Sequence, residues 1–330
     1  MRRATKDALR FALVALICLG LNPAAVHAAG TFKVGILKFG TVNWFLDVIK
    51  HHGLDEKAGF ELELRPLASK NATSVALLSG AVDSIVTDWF WALRERALGE
   101  DFVLIPYSAA LGAVVVPKDS AIRSIADLKG RKIGVAGGPL DKSWLLLRAR
   151  SEALGAGDLA KTAEPVYGAP PLLNQQVIQG NVDAVLNFWH FAARLEGAGY
   201  RRIAGVSELA EALGVSPAPP MIGFVFRQKL ADDNPDLIDG FAAATRQASE
   251  ILQNSDAEWL RLRPMMGAGS DAEFIALRDR FRAGALRSWG DRERAAAGKL
   301  FDILRDLGGD KLTGKDVAFD ANVFWPGLVY

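Results

Sequence analysis

The sequence predicts an α/β fold built of two similar lobes, and three observations carry that prediction. Short β-branched runs alternate with longer helical patterns from Thr31 onward, the pattern of mostly parallel sheets flanked by helices. A segment that begins at Gly80 returns 100 residues later at Gly180. Tryptophan, a rare residue, occupies matching places in both copies, Trp44 with Trp144 and Trp89 with Trp189. With 330 residues, 50% hydrophobic and 23% charged, the chain has apolar surface for about two domains of ~150 residues each without covalent staples.

The first element is not part of either lobe. Arg2, Arg3, Lys6 and Arg10 precede an apolar run over 11–21, and Asn22-Pro23 breaks it before Val26-His27-Ala28. This three-part pattern predicts a secretory signal over 1–28, cleaved after Ala28. The run is too short for a membrane span, which needs ~20 apolar residues. Ile17 before Cys18 is too large for a lipoprotein signal, so a soluble exported protein in the periplasm is expected. Cys18 is the only cysteine, which excludes an intramolecular disulfide, Cys-based zinc clusters and iron–sulfur ligation. The signal carries four of the 39 basic residues and one of the 38 acidic ones, so the mature chain is close to neutral. Without a Lys/Arg cluster interleaved with aromatics, nucleic acid is excluded as a partner.

Lobe 1 is expected to start over 29–112. Strands are predicted over 32–37, 61–66, 84–86 and 102–105, with helices over 43–57, 72–79 and 89–97. Lobe 2, expected over 113–221, repeats the rhythm with strands over 113–116, 131–135, 165–167 and 184–186 and helices over 143–154 and 172–179. A short helical patch over 208–213 runs into Ser216-Pro217-Ala218-Pro219-Pro220, which marks the return crossing, the outward one falling near Gly112. A strand over 222–226 then begins the return to lobe 1 and the C-terminal helices, over 222–330. Asn234 caps and Pro235 opens an amphipathic helix over 236–252. Helices over 273–286 and 292–307 alternate in charge sign, and their arginines read as solvated outer faces.

The internal repeat aligns Gly80-Ala81-Val82-Asp83 with Gly180-Asn181-Val182-Asp183 and continues through Ala92 with Ala192, Arg94 with Arg194 and Gly99 with Gly199. Lys33-Val34-Gly35-Ile36 likewise matches Lys132-Ile133-Gly134-Val135. Ligands of open α/β sheets bind beyond the carboxyl ends of the strands, where all four repeated tryptophans fall. In facing lobes Trp44 would approach Trp144, and Trp89 would approach Trp189, as an aromatic clamp. The alternative is that the rings close the sheet ends as core.

Gly35-Ile36-Leu37-Lys38-Phe39-Gly40-Thr41, Leu77-Leu78-Ser79-Gly80-Ala81-Val82-Asp83, the run from Ile125 through Asp127-Leu128-Lys129-Gly130-Arg131-Lys132-Ile133-Gly134-Val135, Gly180-Asn181-Val182-Asp183-Ala184 and Asn234-Pro235-Asp236-Leu237-Ile238 together resemble one family. It is the nitrate, sulfonate and taurine family of ABC-transporter substrate-binding proteins (SsuA/THI5-like, NMT1-like), which includes binders of thiamin pyrimidine precursors. The resemblance implies a type II periplasmic binding-protein fold that closes on a small solute and presents it to an inner-membrane permease with its ATPase, as a monomer without enzymatic activity or cofactor. It places the ligand loops at Gly40, Thr41, Asn43 and Trp44, at Asn71, at Asp88 and Trp89, at Gly137, Gly138, Asp141 and Lys142, and at Asn187 and Trp189. Each loop leads into a helix whose free N–H groups attract an anion. Thr41, Asn43, Asn71, Asn187 and Asp88 are equally suited to capping. Four tryptophans, Phe188 and Asp88 depart from a small-anion site and favour an organic solute, sulfonate-like or nitrogenous. Lys142 is placed to answer a ligand acid, whereas Arg148 reads as an outer-face charge.

Enzyme readings find little support in the residues. The chain lacks GxSxG, and Gly134-Val135-Ala136-Gly137-Gly138 does not meet GxGxxG. His51 and His52 are adjacent on a predicted helix and face different ways, which argues against a shared metal site. No catalytic residue and no metal are expected. An exported enzyme, for which His190 would be the residue to test, and a receptor domain for a membrane sensor are the competing readings.

Overall fold

Two five-stranded sheets organise residues 30–328, which this computed structural model describes. The signal expected over 1–28, its cleavage point and Cys18 lie outside the described residues. The strands are β1 (Thr31–Leu37), β2 (Glu61–Leu67), β3 (Ser84–Asp88), β4 (Phe102–Ser108), β5 (Gly112–Val116), β6 (Lys132–Ala136), β7 (Glu164–Gly168), β8 (Ala184–Phe188), β9 (Arg201–Gly205) and β10 (Ile222–Arg227). One sheet has the order β2-β1-β3-β10-β4 and the other β7-β6-β8-β5-β9. Three strands of each run parallel, and the two at one side alternate antiparallel. The expected α/β class of two like lobes is the one observed.

The main helices are α1 (Val42–His51), α2 (Lys70–Leu78), α3 (Trp89–Ala97), α4 (Lys142–Ala153), α5 (Pro170–Ile178), α6 (Trp189–Gly197), α7 (Val206–Ala212), α8 (Pro235–Asn254), α9 (Asp256–Met266), α10 (Asp271–Ala283) and α11 (Asp291–Gly308). The predicted helix over 43–57 is broken because Gly53 adopts a left-handed conformation, φ 57°, so α1 ends at His51. Three of these elements lie outside the predicted strands and helices, β9, α6 and α9. Strand β9 opens with Arg201 and Arg202, and α9 carries Pro264 inside it, so neither shows the usual pattern.

The repeat has a physical meaning in both sheets. Lys33 N–H donates to Asp83 Oδ2 at 2.8 Å and Lys132 N–H donates to Asp183 Oδ2 at 2.8 Å. The aspartates return the bond, Asp83 N–H to Lys33 O and Asp183 N–H to Lys132 O, both at 2.8 Å. Each clasp fixes where β3 or β8 begins beside β1 or β6. Six residues on, Trp89 N–H donates to Met221 O and Trp189 N–H to Leu111 O, both at 3.3 Å. Both acceptors sit where the chain arrives from the other sheet.

The tryptophan pairing differs from expectation. Trp89 is fully buried, stacked on Phe90 at 4.1 Å and packed by Phe319 and Phe324, and its indole N–H donates to Pro220 O at 3.0 Å. Trp144 is fully buried in lobe 2 beneath Tyr167. Both rings turn into their own lobe, so neither faces its predicted partner, and Trp89 is withdrawn as a solute-contacting side chain.

Helix α8 lies on α1, and its Phe241 packs against Phe32, Phe60 and Phe224. The α9–α10 hairpin then straddles the molecule. Its α9 limb sits on α1, through Trp259 against Trp44 and Arg261 on Asp47 at 2.5 Å. Its α10 limb sits on α6 of lobe 2, through the Arg194–Glu273 pair and Arg280 Nε on Glu196 Oε2 at 2.9 Å. Gly197 permits this contact, since a Cβ there would lie 2.5 Å from Glu273 Cα. The arginines of α10 are therefore not all solvated charges: Arg280 bridges lobes, and Arg282 holds Asp256 and Leu252 O.

Full burial of both rings sets their cost. Trp89→Ala and Trp144→Ala are each expected to lower unfolding free energy by about 3–5 kcal/mol, measured by urea denaturation.

Candidate solute cleft

The two lobes meet where helices begin. On the lobe 1 side, α1 follows β1, α2 follows β2 and α3 follows β3; on the lobe 2 side, α4 follows β6 and α6 follows β8. Four side-chain contacts among the described residues join these helix starts. Trp44 of α1 and Trp189 of α6 meet edge to face with centroids 6.0 Å apart, a geometry favoured by the ring quadrupoles. Lys142 Nζ, from the first residue of α4, lies 3.3 Å from Asp88 Oδ2 and 5.2 Å above the Phe90 ring. Lys70 Nζ, from the first residue of α2, lies 5.9 Å above the Phe188 ring. The cleft is closed by one aromatic pair, one ion pair and two cation–π contacts, all between different lobes.

Each partner is held by its own helix end. Asp88 caps α3, its Oδ1 accepting from Trp91 N–H at 3.0 Å, so it caps and pairs at once. Burial pushes its carboxyl up, but the Lys142 ammonium, the Trp91 N–H and Arg94 outweigh that and hold it below the usual carboxylate range. Asp141 caps α4, with Oδ1 accepting from Ser143 N–H at 2.9 Å and Trp144 N–H at 3.4 Å. Its carboxyl is pushed up by burial, which outweighs Lys142 and the helix N–H groups. Gly137 and Gly138 have φ 91° and 123°, and a Cβ on Gly137 would lie 2.7 Å from Asp141 Oδ2. That turn delivers Lys142 to the cleft, and only glycine makes it without strain.

The remaining predicted residues divide. Thr41 begins α1 with no side-chain capping bond, and Asn71 is exposed in the first turn of α2, where Ser69 caps instead. Gly40 N–H donates to Leu37 O in the same loop. Asn43 donates to Leu37 O and Lys38 O at 3.1 and 3.3 Å, leaving its buried Oδ1 without a partner. Asn187 is withdrawn as a ligand group: 2% exposed, it donates to Pro170 O and Asn174 Oδ1 and accepts from Phe188 N–H. Arg148 is not a free outer charge either, since it grips Asp158 through two bonds of 2.7 and 2.8 Å.

Sequence reasoning missed Lys70, Phe90, Trp259 and Phe281. Lys70 belongs to a loop the resemblance named, but Trp259 and Phe281 come from the hairpin outside the repeat. Phe281 packs on both Trp44 and Trp189, at 6.3 and 5.9 Å, and backs the aromatic contact. Beside Trp189 a cavity of about 210 Å³ opens on the crossing strand, lined among others by Leu111, Arg202, Ser207, Arg280 and Gly284.

His190 follows Trp189 with its Nδ1 buried and unpartnered. Burial, aided by the charge of Arg194, pushes its pKa down to about 4, so the imidazole is neutral near pH 7. Its folded pKa lies below the unfolded value of ~6.5, so stability is lost as pH falls from there through about 4. His190→Gln is expected to flatten that acid limb in pH-dependent urea unfolding.

The comparisons agree with this architecture. A protein of Escherichia coli (strain K12) named for binding aliphatic sulfonates is 23% identical over 265 residues, covering 78% of each chain. The crystal structure of the periplasmic aliphatic sulphonate binding protein SsuA from Escherichia coli superposes with a TM-score of 0.71 at 20% identity, covering 91% of this chain and 94% of that one. The alkanesulfonate-binding protein SsuA of Xanthomonas axonopodis pv. citri, bound to MOPS, gives a TM-score of 0.64 at 20% identity, covering 89% and 98%. The desulfurization enzyme DSZB shares the fold at a TM-score of 0.62 and 17% identity. The NMT1/THI5-like family model matches residues 48–258, from α1 through both sheets to α9, and the chain belongs to that family.

Proposed function

We propose that this chain is the exported solute-binding component of an ABC importer and that its cargo is a small organic anion of the sulfonate class. The observation that carries the proposal is the closure of two lobes through Trp44–Trp189 and Asp88–Lys142, side chains at helix N-termini on opposite walls. Helix N-termini and two lysines, Lys70 and Lys142, favour an anionic head group, and the tryptophan pair favours an apolar body. Solute anion competes with Asp88 for Lys142, and the Trp44 and Trp189 rings part to admit its body. Binding is the whole chemistry. A ligand that gains contacts in the closed state raises its population, and the closed form is what a permease and its ATPase receive. The signal over 1–28 is removed at Ala28, and the mature chain acts in the periplasm as a monomer.

Sharing a fold with a desulfurization enzyme makes turnover the reading to test alongside. Tryptophan fluorescence titrated with ethanesulfonate, butanesulfonate, taurine and nitrate is expected to show a saturable change with the sulfonates, which are recovered intact. Lys142→Met is expected to weaken that binding about tenfold or more, equivalent to ~1.4 kcal/mol. No saturable response to any sulfonate would reject the cargo class, and sulfite release would reject the binding-only reading.

A further inference from the structure

On the far side of lobe 1, away from the cleft, three metal-ligating side chains converge where α1 ends. His51 is the last residue of α1, His52 is its C-cap at φ −90° and ψ 0°, and Glu258 lies in the first turn of α9. One ligand atom from each lies within 4.8 Å of the other two. Adjacent residues diverge in a continuous helix, but here the helix stops between the two histidines, and the cap geometry lets both rings approach Glu258. We propose that His51, His52 and Glu258 form a site for a divalent transition-metal ion of the zinc type.

The donor set suits that ion. Two imidazoles and one carboxylate are a known zinc combination, with a fourth position left to water. Glu258 is nearly buried, and its two oxygens have different tasks. Oε1 takes Arg261 Nε and Nη2 at 2.9 and 2.6 Å, while Oε2 faces His52 Nε2 at 3.1 Å. His52 Nε2 is buried and makes no aligned hydrogen bond, although it stands beside the Glu258 carboxylate.

The surrounding charges do not repel a cation strongly. Arg261 is matched by Asp47 as well as Glu258, and Lys50 by Asp55 at 2.7 Å. Lys57 is engaged on His52 O at 2.8 Å. The carbonyl end of α1 points its negative dipole at the site. Zinc bonds of ~2.0–2.1 Å set tetrahedral donor separations near ~3.4 Å, a spacing the His52–Glu258 pair already approaches at 3.1 Å and His51 reaches by moving in by about 1.4 Å at most. His51 is exposed at a helix end and is free to swing. Occupancy would tie α9 to the helix that carries Trp44, seven residues before His51.

The test is Zn²⁺ binding to tag-free protein by competition with a chromophoric chelator, with Co²⁺ absorption as a report on coordination. About one equivalent is expected, weakened about tenfold or more in both His51→Ala and Glu258→Gln and unchanged in His190→Ala. His51 is exposed, so its loss leaves the fold intact and keeps the result readable. Absence of binding by the unsubstituted protein at micromolar Zn²⁺, or equal affinity in His51→Ala, would overturn the proposal.

Discussion

Each sheet holds, between two of its other strands, the strand into which a crossing from the other sheet delivers the chain, and that constraint governs the rest of the molecule. β10 inserts between β3 and β4 only after lobe 2 has been made, and β5 lies between β8 and β9 as the first strand after the crossing. The lobe 1 sheet cannot close without the returning strand β10, whereas the lobe 2 sheet is built from the consecutive strands β5 to β9. The crossings become part of the hydrogen-bonded sheets, and the cleft must open at the strand ends beside them. The backbone bonds from Trp89 and Trp189 to Met221 O and Leu111 O fix the helix starts against these crossings. Glycine at each crossing strand follows from the same constraint: a Cβ on Gly112 or Gly223 would lie 2.3 Å from a carbonyl oxygen of the neighbouring strand.

Within that frame, the cleft is a meeting of helix ends. Asp88 and Phe188 end strands and Lys70 and Lys142 begin the helices that follow strands, so the side chains that meet are placed by two sheets that share no strand. The Asp88–Lys142 ion pair is thereby assembled from two separate lobes. Asp88 is kept ionised by its capping bond and by Lys142 together, and Lys142 stands on a turn that two left-handed glycines create. Under the proposed function the lysine is the exchangeable part, because a solute anion would replace one carboxylate, whereas the cap on Trp91 belongs to the fold.

Much of this was legible in the sequence. The Gly-x-Val-Asp repeat located both sheets, since its aspartate clasps the first strand of each lobe, and its tryptophan marked the helix starts. What periodicity could not convey was ring direction. Trp44 and Trp144 occupy the same turn of equivalent helices, yet one meets the other lobe and the other fills its own core, because Trp259 and Phe281 lie only against the first. Those two residues come from a hairpin with no counterpart in the repeat, one limb of which hides Pro264. Asn187 and Trp89 look like ligand groups by position, and only the carbonyls of Pro170 and Pro220 show that their polar atoms are already spent.

The same hairpin limits the kinematics of opening. Two crossing strands alone would let the lobes both hinge and twist about the line between them. The α9–α10 hairpin is rooted on lobe 1 through Arg261 and Trp259 and on lobe 2 through Arg194 and Arg280, and its end returns to the crossing, where Ala109 N–H donates to Gly284 O at 2.9 Å. It is a third tether, set off to one side. Twisting one lobe against the other would strain the ion pairs of the hairpin as well as the two crossings, so the register of the cleft walls is held at three places instead of two.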